Sequence, residues 1–307
     1  MHELFGKIMP IKWGGELSGD WLRYLGKEYR RAEDGVRVRV PPAYFEKLLG
    51  EHGLEQCRSR VTPGDQPRGD DHTEALMPEK KSRFRIAIGK LMWTMQERPD
   101  MAETICQLAR HAQQPSEADW SRLRHLLRYL SGTVDLELVL TVEKPCDMVV
   151  RGVSDAAWAS GRGQRSVSGG TVWLNGCLLL CLTRTQATIA QSSCEAELVA
   201  MNATVCEMKM IQTIMRECEL ECQLEVNTDS SSALRVASRR GLGRMRHMEI
   251  RRLWLQDEVA AGRLVILYTK GEDNVADLLT KNLGGPRHRM LTDAIGMRAA
   301  ENNVHEK

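Results

Sequence analysis

The chain has 307 residues, 42% hydrophobic and 27% charged, with a formal net charge of +2. That length suits one and a half to two domains, and so small a charge excludes a polybasic chain, leaving any basic surface to be local. No run of about 18 or more apolar residues and no signal-peptide pattern is present, so an intracellular protein, cytoplasmic or nuclear and without a membrane partner, is expected.

From the N-terminus, residues 1–60 hold a small α/β piece. Trp21–Tyr29 reads as a strand, Glu33-Asp34-Gly35 as a turn, and Val36, Val38 and Val40 alternate with Arg37 and Arg39 at period two. Pro41-Pro42 ends that strand and opens a helix carrying Tyr44, Leu48 and Leu49. Residues 61–81, rich in Pro, Gly and charge, read as a polar linker. Residues 82–135 are helical: Phe84–Gln96, Met101–Gln113, and Ser116–Ser131, the last with Ser116 and Asp119 at capping-box spacing and Gly132 as its stop.

From Cys146 strands and helices alternate up to residue 284. Met148–Ser154, Gly170–Leu174 and Leu178–Leu182 read as strands, Ser193–Arg216 as a long helix and Leu224–Thr228 as a strand. A short helix, an Arg-rich helix, the strand Arg263–Thr269 and a helix over Asn274–Asn282 follow. This grammar implies a mixed sheet with helices on its faces. Residues 285–307 read as a loose tail. The nine cysteines include Cys177/Cys181 and Cys218/Cys222, which lack the second half of a zinc site, so free thiols are expected.

Asp155, Glu197, Asp229 and Asp277 sit at the ends or starts of separate elements. Carboxylates drawn together raise one another's pKa, and a divalent pair about 3.5–4 Å apart removes that repulsion while clamping both oxygens of a phosphodiester. Each acid also has a plainer reading. Asp155 suits a strand-end turn and Asp229 a helix N-cap. Asp277 lies opposite Val275 and Leu279, as an exposed acid would. Glu197 is the sharpest case. Glu195 answers Ser192 as a capping partner, whereas Glu197 lies 200° round the helix, heading an apolar stripe of Met201, Met208, Ile211 and Met215. A carboxylate there is costly unless paired or coordinated.

The chain resembles the C-terminal part of a copia-type LTR-retrotransposon Pol polyprotein over about residues 15–284. The resemblance rests on Arg-Tyr-Leu-Gly-Lys-Glu (23–28), Ala-Ile-Gly-Lys-Leu-Met-Trp (87–93), Arg-Pro-Asp-Met (98–101) and Leu-Arg-Tyr-Leu-Ser-Gly-Thr (127–133). It continues in Ser-Asp-Ala-Ala-Trp (154–158), Ser-Val-Ser-Gly-Gly (166–170), Gln-Ser-Ser-Cys-Glu-Ala-Glu (191–197), Arg-His-Met-Glu-Ile (246–250) and Asn-Val-Ala-Asp-Leu-Leu-Thr-Lys (274–281). It implies an α/β, ribonuclease H-like domain over 146–284: a mixed five-stranded sheet with flanking helices, preceded by a truncated reverse transcriptase palm/thumb piece and a helical connection. By the resemblance, the four acids bind two Mg2+ ions, with Mn2+ as the alternative, and cleave the RNA strand of an RNA–DNA hybrid. Asp155 would bridge both ions, Glu197 and Asp229 would complete the first, and Asp277 would hold the second. The upstream reverse transcriptase portion is the further partner implied. No Tyr-x-Asp-Asp hairpin is present, so DNA synthesis by this chain is not expected.

Three positions depart from the family pattern: Ala157 replaces an acid, Cys194 a threonine, and no histidine stands near Tyr268–Gly271, so slow turnover is expected. Arg244, Arg246, His247, Arg251 and Arg252 cluster at the start of a helix, and Arg184 and Gln186 precede the long one. All but Arg252 are taken as nucleic-acid contacts of the backbone-positioning kind. An integrase or transposase would place its Glu late and carry a His/His/Cys/Cys zinc segment, neither of which is seen. The remaining rival is a catalytically inactive, nucleic-acid-binding remnant of a retroelement.

Overall fold

The structure, a computed structural model, describes residues 15–64, 74–141, 148–160, 162–241 and 254–300. In the first stretch β1 (Leu22–Tyr24) and β2 (Lys27–Ala32) form a hairpin. The expected single strand is broken by Leu25-Gly26, whose φ values of 49° and 80° are those of a tight two-residue hairpin loop. Next come β3 (Gly35–Arg39) and α1 (Pro42–Glu51), which opens on Pro42 as expected. After the linker stand α2 (Pro78–Met92), a 3-10 turn (Pro99–Met101), α3 (Ala102–Arg110) and α4 (Glu117–Ser131). The expected capping box starts α4: Ser116 Oγ accepts the Asp119 amide, and Asp119 Oδ2 accepts the Ser116 amide at 2.9 Å. Phe45 and Leu48 of α1, Phe84 and Leu91 of α2, Ile105 of α3 and Leu123, Leu127 and Leu130 of α4 share one core.

β4 (Leu136–Leu140), unanticipated from the sequence, pairs with β3. It explains why the period-two reading of β3 is only half right. Val38 and Val40 are buried, but so is Arg37, because Glu137 of β4 lies under it at 3.3 Å. Arg30 and Arg39 also approach that carboxylate, at 3.3 and 3.5 Å.

The second sheet comprises β5 (Val149–Ala157), β6 (Val167–Leu174), β7 (Cys177–Thr185), β8 (Gln223–Thr228) and β9 (Val265–Tyr268). Its order is β7-β6-β5-β8-β9. The first three strands are antiparallel neighbours, and β8 and β9 join parallel to β5. Parallel pairs need crossovers, here α5 (Ser193–Glu217) before β8, then α6 (Ser231–Ala237) and α7 (Trp254–Ala260) before β9. This is the ribonuclease H-like mixed sheet that was expected. One face is covered by α5, whose Met201, Val205 and Met208 pack with Val150, Val172 and Val226. Gly170 permits the approach, since a Cβ there would lie 2.2 Å from Thr204 Oγ1.

The opposite face takes a 3-10 helix (Val275–Leu279) in place of the longer helix expected, and then α8 (Gly285–Ala294) and β10 (Met297–Ala299). The expectation of a loose tail from 285 is therefore corrected. Leu291, Ile295 and Met297 are buried with Leu138, Leu178, Cys181, Leu278 and Leu279, and β10 pairs with β4, completing the sheet β1-β2-β3-β4-β10. A polar sequence hid an apolar stripe of only three residues. Those contacts weld the two modules together. So does Gln96, whose side-chain amide bonds both the N–H and the C=O of Cys181 at 3.0 Å, covering an edge strand that would otherwise present open backbone groups. The eight cysteines among the described residues are free thiols. No helix among those residues is long and apolar enough to cross a membrane.

Candidate metal centre

Three of the four expected acids meet. One carboxylate oxygen each from Asp155, Glu197 and Asp229 lie within 4.8 Å of one another. Asp155 belongs to β5, opposite Gly169 of β6. A Cβ at Gly169 would stand 2.5 Å from Thr280 Cγ2, so this glycine lets the segment around the 3-10 helix settle over Asp155. Asn274 fixes that segment: its side-chain Oδ1 accepts the Ala276 amide, and its Nδ2 donates to the Ser154 carbonyl at 3.3 Å. Glu197 projects from the second turn of α5. Glu195 takes the structural role, its amide donating to Ser192 Oγ and its Oε2 accepting the Gln191 amide at 2.9 Å. Asp229 follows β8 directly. The N-cap role considered for it is filled by Ser230, whose Oγ accepts the Ala233 amide, leaving the Asp229 carboxylate for the cluster.

Asp277 does not take the exposed placement of its plainer reading, being 7% exposed. It stands beside the trio, joined to it by Lys281. The ammonium lies 2.6 Å from Asp277 Oδ1 and 3.2 Å from Asp155 Oδ1, while Arg287 reaches Asp277 Oδ2 at 3.3 Å. Thr280 Oγ1 donates to the other Asp155 oxygen. Asn274, Thr280, Lys281 and Arg287 were not singled out from the sequence. The signal available for two of them was the spacing Asp-Leu-Leu-Thr-Lys, which puts Thr280 and Lys281 three and four residues after Asp277.

The charges explain the arrangement. Burial, then the neighbouring Asp155 and Asp229, push the Glu197 carboxyl up to about 8, with Lys281 and a backbone hydrogen bond from Ala156 offsetting part of this. Burial also raises Asp155, against the pull of Lys281 and Thr280. Burial alone would lower Lys281, but Asp155 and Asp277 hold it above the ordinary lysine value. Glu197 Oε2 is buried with no hydrogen-bond partner among the described residues. An all-oxygen donor set with a partnerless buried oxygen and too much negative charge fits a hard divalent cation such as Mg2+ or Mn2+.

A pH dependence follows. The folded Glu197 pKa exceeds its reference value of 4.5, so the metal-free native state holds more protons than the unfolded chain between those values, and its stability falls as pH rises through that window. In EDTA the melting temperature should decline from about pH 5 to pH 8. Glu197→Gln should flatten that decline, and an unchanged slope in the variant would exclude Glu197 as its source.

The expected nucleic-acid contacts fare unevenly. Arg184 lies on the surface, paired with Glu207 at 2.7 Å, a weak contact that a phosphate can replace. Gln186 does not face a ligand. It is 4% exposed, and its Nε2 donates to Ser168 Oγ and the Ala196 carbonyl, both at 2.9 Å, joining β6 to α5. Arg244, Arg246, His247 and Arg251 lie outside the described residues.

No protein-family model matches the chain. Among curated proteins it is similar to the retrovirus-related Pol polyprotein from transposon RE2 of Arabidopsis thaliana, 24% identical over 279 residues, covering 89% of this chain and 19% of that one. It is similar also to the retrovirus-related Pol polyprotein from transposon TNT 1-94 of Nicotiana tabacum, 26% identical over 266 residues, 83% of this chain and 20% of that one. Over most of its length the chain is similar to retrovirus-related Pol polyproteins of transposons, copia-type ones among them. It spans about a fifth of the length of these Pol relatives. A shorter relative, the secreted RxLR effector protein 161 of Plasmopara viticola, is 35% identical over 125 residues, 40% of this chain and 87% of that one. Among solved structures the chain is similar to LC11-RNase H1 in complex with RNA/DNA hybrid, with 18% identity, 43% of this chain and 93% of that one covered, and a TM-score of 0.31.

Proposed function

We propose that the second module of this chain is a metal-dependent endonuclease that cleaves the RNA strand of RNA–DNA hybrids. The observation that carries the reading is the meeting of Asp155, Glu197 and Asp229 within 4.8 Å on the strand order of a ribonuclease H-like sheet. Similarity to retrotransposon Pol polyproteins supports it. Asp155, Glu197 and Asp229 would hold one divalent cation and Asp155 and Asp277 a second. When bound, such ions lower the pKa of the attacking water and neutralise charge on the leaving oxygen.

The chain's own groups do the rest. Thr280 fixes one Asp155 oxygen by a hydrogen bond, so the other is presented in a constant direction. Lys281 lies between Asp155 and Asp277 and offsets part of their negative charge before any cation arrives. Arg287 holds Asp277 Oδ2 and donates to the Gly271 carbonyl at 2.7 Å, and Gly271 backs onto Asp229: a Cβ there would sit 3.3 Å from Asp229 Oδ2. Selection of the RNA strand requires contacts to its 2′-hydroxyls.

The test is incubation of the purified chain with an end-labelled RNA–DNA hybrid and magnesium, beside an Asp229→Asn control. Cleavage of the RNA strand by the parent and not by the control is the expected result. Cleavage retained in the control would reject the assignment of Asp229, and hybrid binding without cleavage in either would favour the inactive remnant.

A further inference from the structure

At the foot of the helical module a cleft of about 540 Å³ is lined by Arg58, Ser59, Arg60, Thr62, His125 and Arg128, with no carboxylate among its lining residues. The loop that carries the first four is fixed along α4. Arg128 Nε donates to the Arg58 carbonyl at 2.8 Å, the Arg60 amide to the Arg128 carbonyl at 3.1 Å, and the His125 ring meets the Thr62 carbonyl at 3.0 Å. Backbone bonds thus hold the loop, while the Arg58 and Arg60 side chains stand exposed, without a carboxylate partner among the described residues. Three exposed arginines elsewhere are paired with carboxylates: Arg151 with Glu225, Arg184 with Glu207 and Arg263 with Glu258. Concentrated positive charge is notable in a chain whose net charge is +2.

The position of the cleft indicates what it meets. Val61 lies beneath Gly285, where a Cβ would be 2.9 Å from Val61 Cγ1, and Gly64 abuts Asn282, whose Oδ1 would be 2.4 Å from a Cβ at Gly64. Asn282 and Gly285 follow Lys281, whose ammonium sits in the acid cluster, by one and four residues. Four residues of chain reach at most about 14 Å, so the basic loop rests on the segment that leaves the metal centre. We propose that this cleft binds backbone phosphates of the nucleic-acid duplex, holding it at a second point away from the acids. The proposal rests on the nuclease reading for the identity of the duplex. Guanidinium forks match phosphate oxygens in pairs, and a duplex seated on the acid cluster is long enough to bring backbone phosphates to this loop. Such contacts position without reading sequence.

The experiment is fluorescence anisotropy of the full chain with a labelled 20-base-pair RNA–DNA hybrid in EDTA, where no cleavage occurs, across a salt series. Each lost phosphate contact removes about 0.9 from the slope of log affinity against log salt. Arg58→Gln/Arg60→Gln should bind roughly tenfold more weakly at low salt with a slope shallower by about 2, at an unchanged melting temperature. Arg58→Lys/Arg60→Lys, which keeps the charge, should retain most of the slope. Parental affinity and slope in the Gln variant would overturn the proposal. So would displacement of the hybrid by an acidic octapeptide or by inorganic phosphate from the parent and the Gln variant alike. Because the readout is binding, a chain that binds as described but never cleaves would defeat the nuclease reading alone, and cleavage with unaltered binding would defeat only this one.

Discussion

Asp155→Asn should reduce cleavage of an RNA–DNA hybrid by roughly a thousandfold or more, since several kcal/mol of charge stabilisation would be lost and each 1.36 kcal/mol is a factor of ten. Asp155 is the acid on which the others depend. It is 1% exposed, it takes both the Thr280 hydroxyl and the Lys281 ammonium, and its charge is one reason Glu197 resists ionisation. An amide keeps the shape but halves the number of acceptor oxygens and removes the charge a cation needs. Fold and chemistry are separable here. The variant should melt cooperatively, because Lys281 keeps Asp277 as its partner. The rise in melting temperature that magnesium gives the parent by mass action should shrink or vanish. Single-turnover cleavage together with melting curves with and without magnesium checks both halves. Activity within tenfold of the parent would remove Asp155 from the centre.

The largest loss of stability should come from Arg98→Met. Arg98 is 0% exposed and Asp100 2%. The guanidinium meets both Asp100 oxygens, at 2.9 and 2.7 Å, and donates to the Thr133 carbonyl and hydroxyl at 2.9 and 2.8 Å. Tyr129 donates to Asp100 Oδ2 at 2.8 Å, and the His288 ring meets the Asp100 carbonyl at 2.9 Å. One network therefore pins α2's exit, the end of α4 and α8. Burial on its own would raise the Asp100 carboxyl, and Arg98 more than reverses it, holding it below the usual range. Removing the cation leaves a buried carboxylate uncompensated, which costs about 3–5 kcal/mol. Arg98→Met/Asp100→Leu should regain much of that, because removing both charges removes the desolvation cost as well. Urea unfolding of the two variants measures the difference. A double variant no more stable than the single one would show that the remaining polar contacts, not the ion pair, set the cost.

The second module was legible in the sequence because its strands and helices are long enough to keep a period. The stripe behind Glu197 was readable for the same reason: a 25-residue helix repeats its face several times, and a carboxylate on the apolar side stands out. The first module was less legible. Its sheet draws β1, β2 and β3 from one stretch, β4 from another and β10 from a third, and three-residue strands such as β1 and β10 show too little alternation to be seen. The plainer, exposed reading of Asp277 fails because helical geometry says which residues share a face but not that a sheet lies on one side and α8 on another. Gln186 was misjudged because a polar residue before a helix suggests solvent, while here its amide satisfies groups buried between β6 and α5. Lys281, four residues after Asp277, reads as half of a common surface pair; only the fold brings Asp155 to its other side.

The strand pairing of β10 with β4 makes the second module an insertion within the first, since the polypeptide leaves through β4 and returns through α8. A single scission between them cannot yield two self-sufficient halves. Cutting after residue 141 strips the first sheet of its terminal strand and leaves Leu138 facing water, and the released fragment would carry Leu291, Ile295 and Met297 with nothing to cover them. Whatever dissects this protein experimentally must therefore excise the middle and rejoin the flanks, or keep it whole.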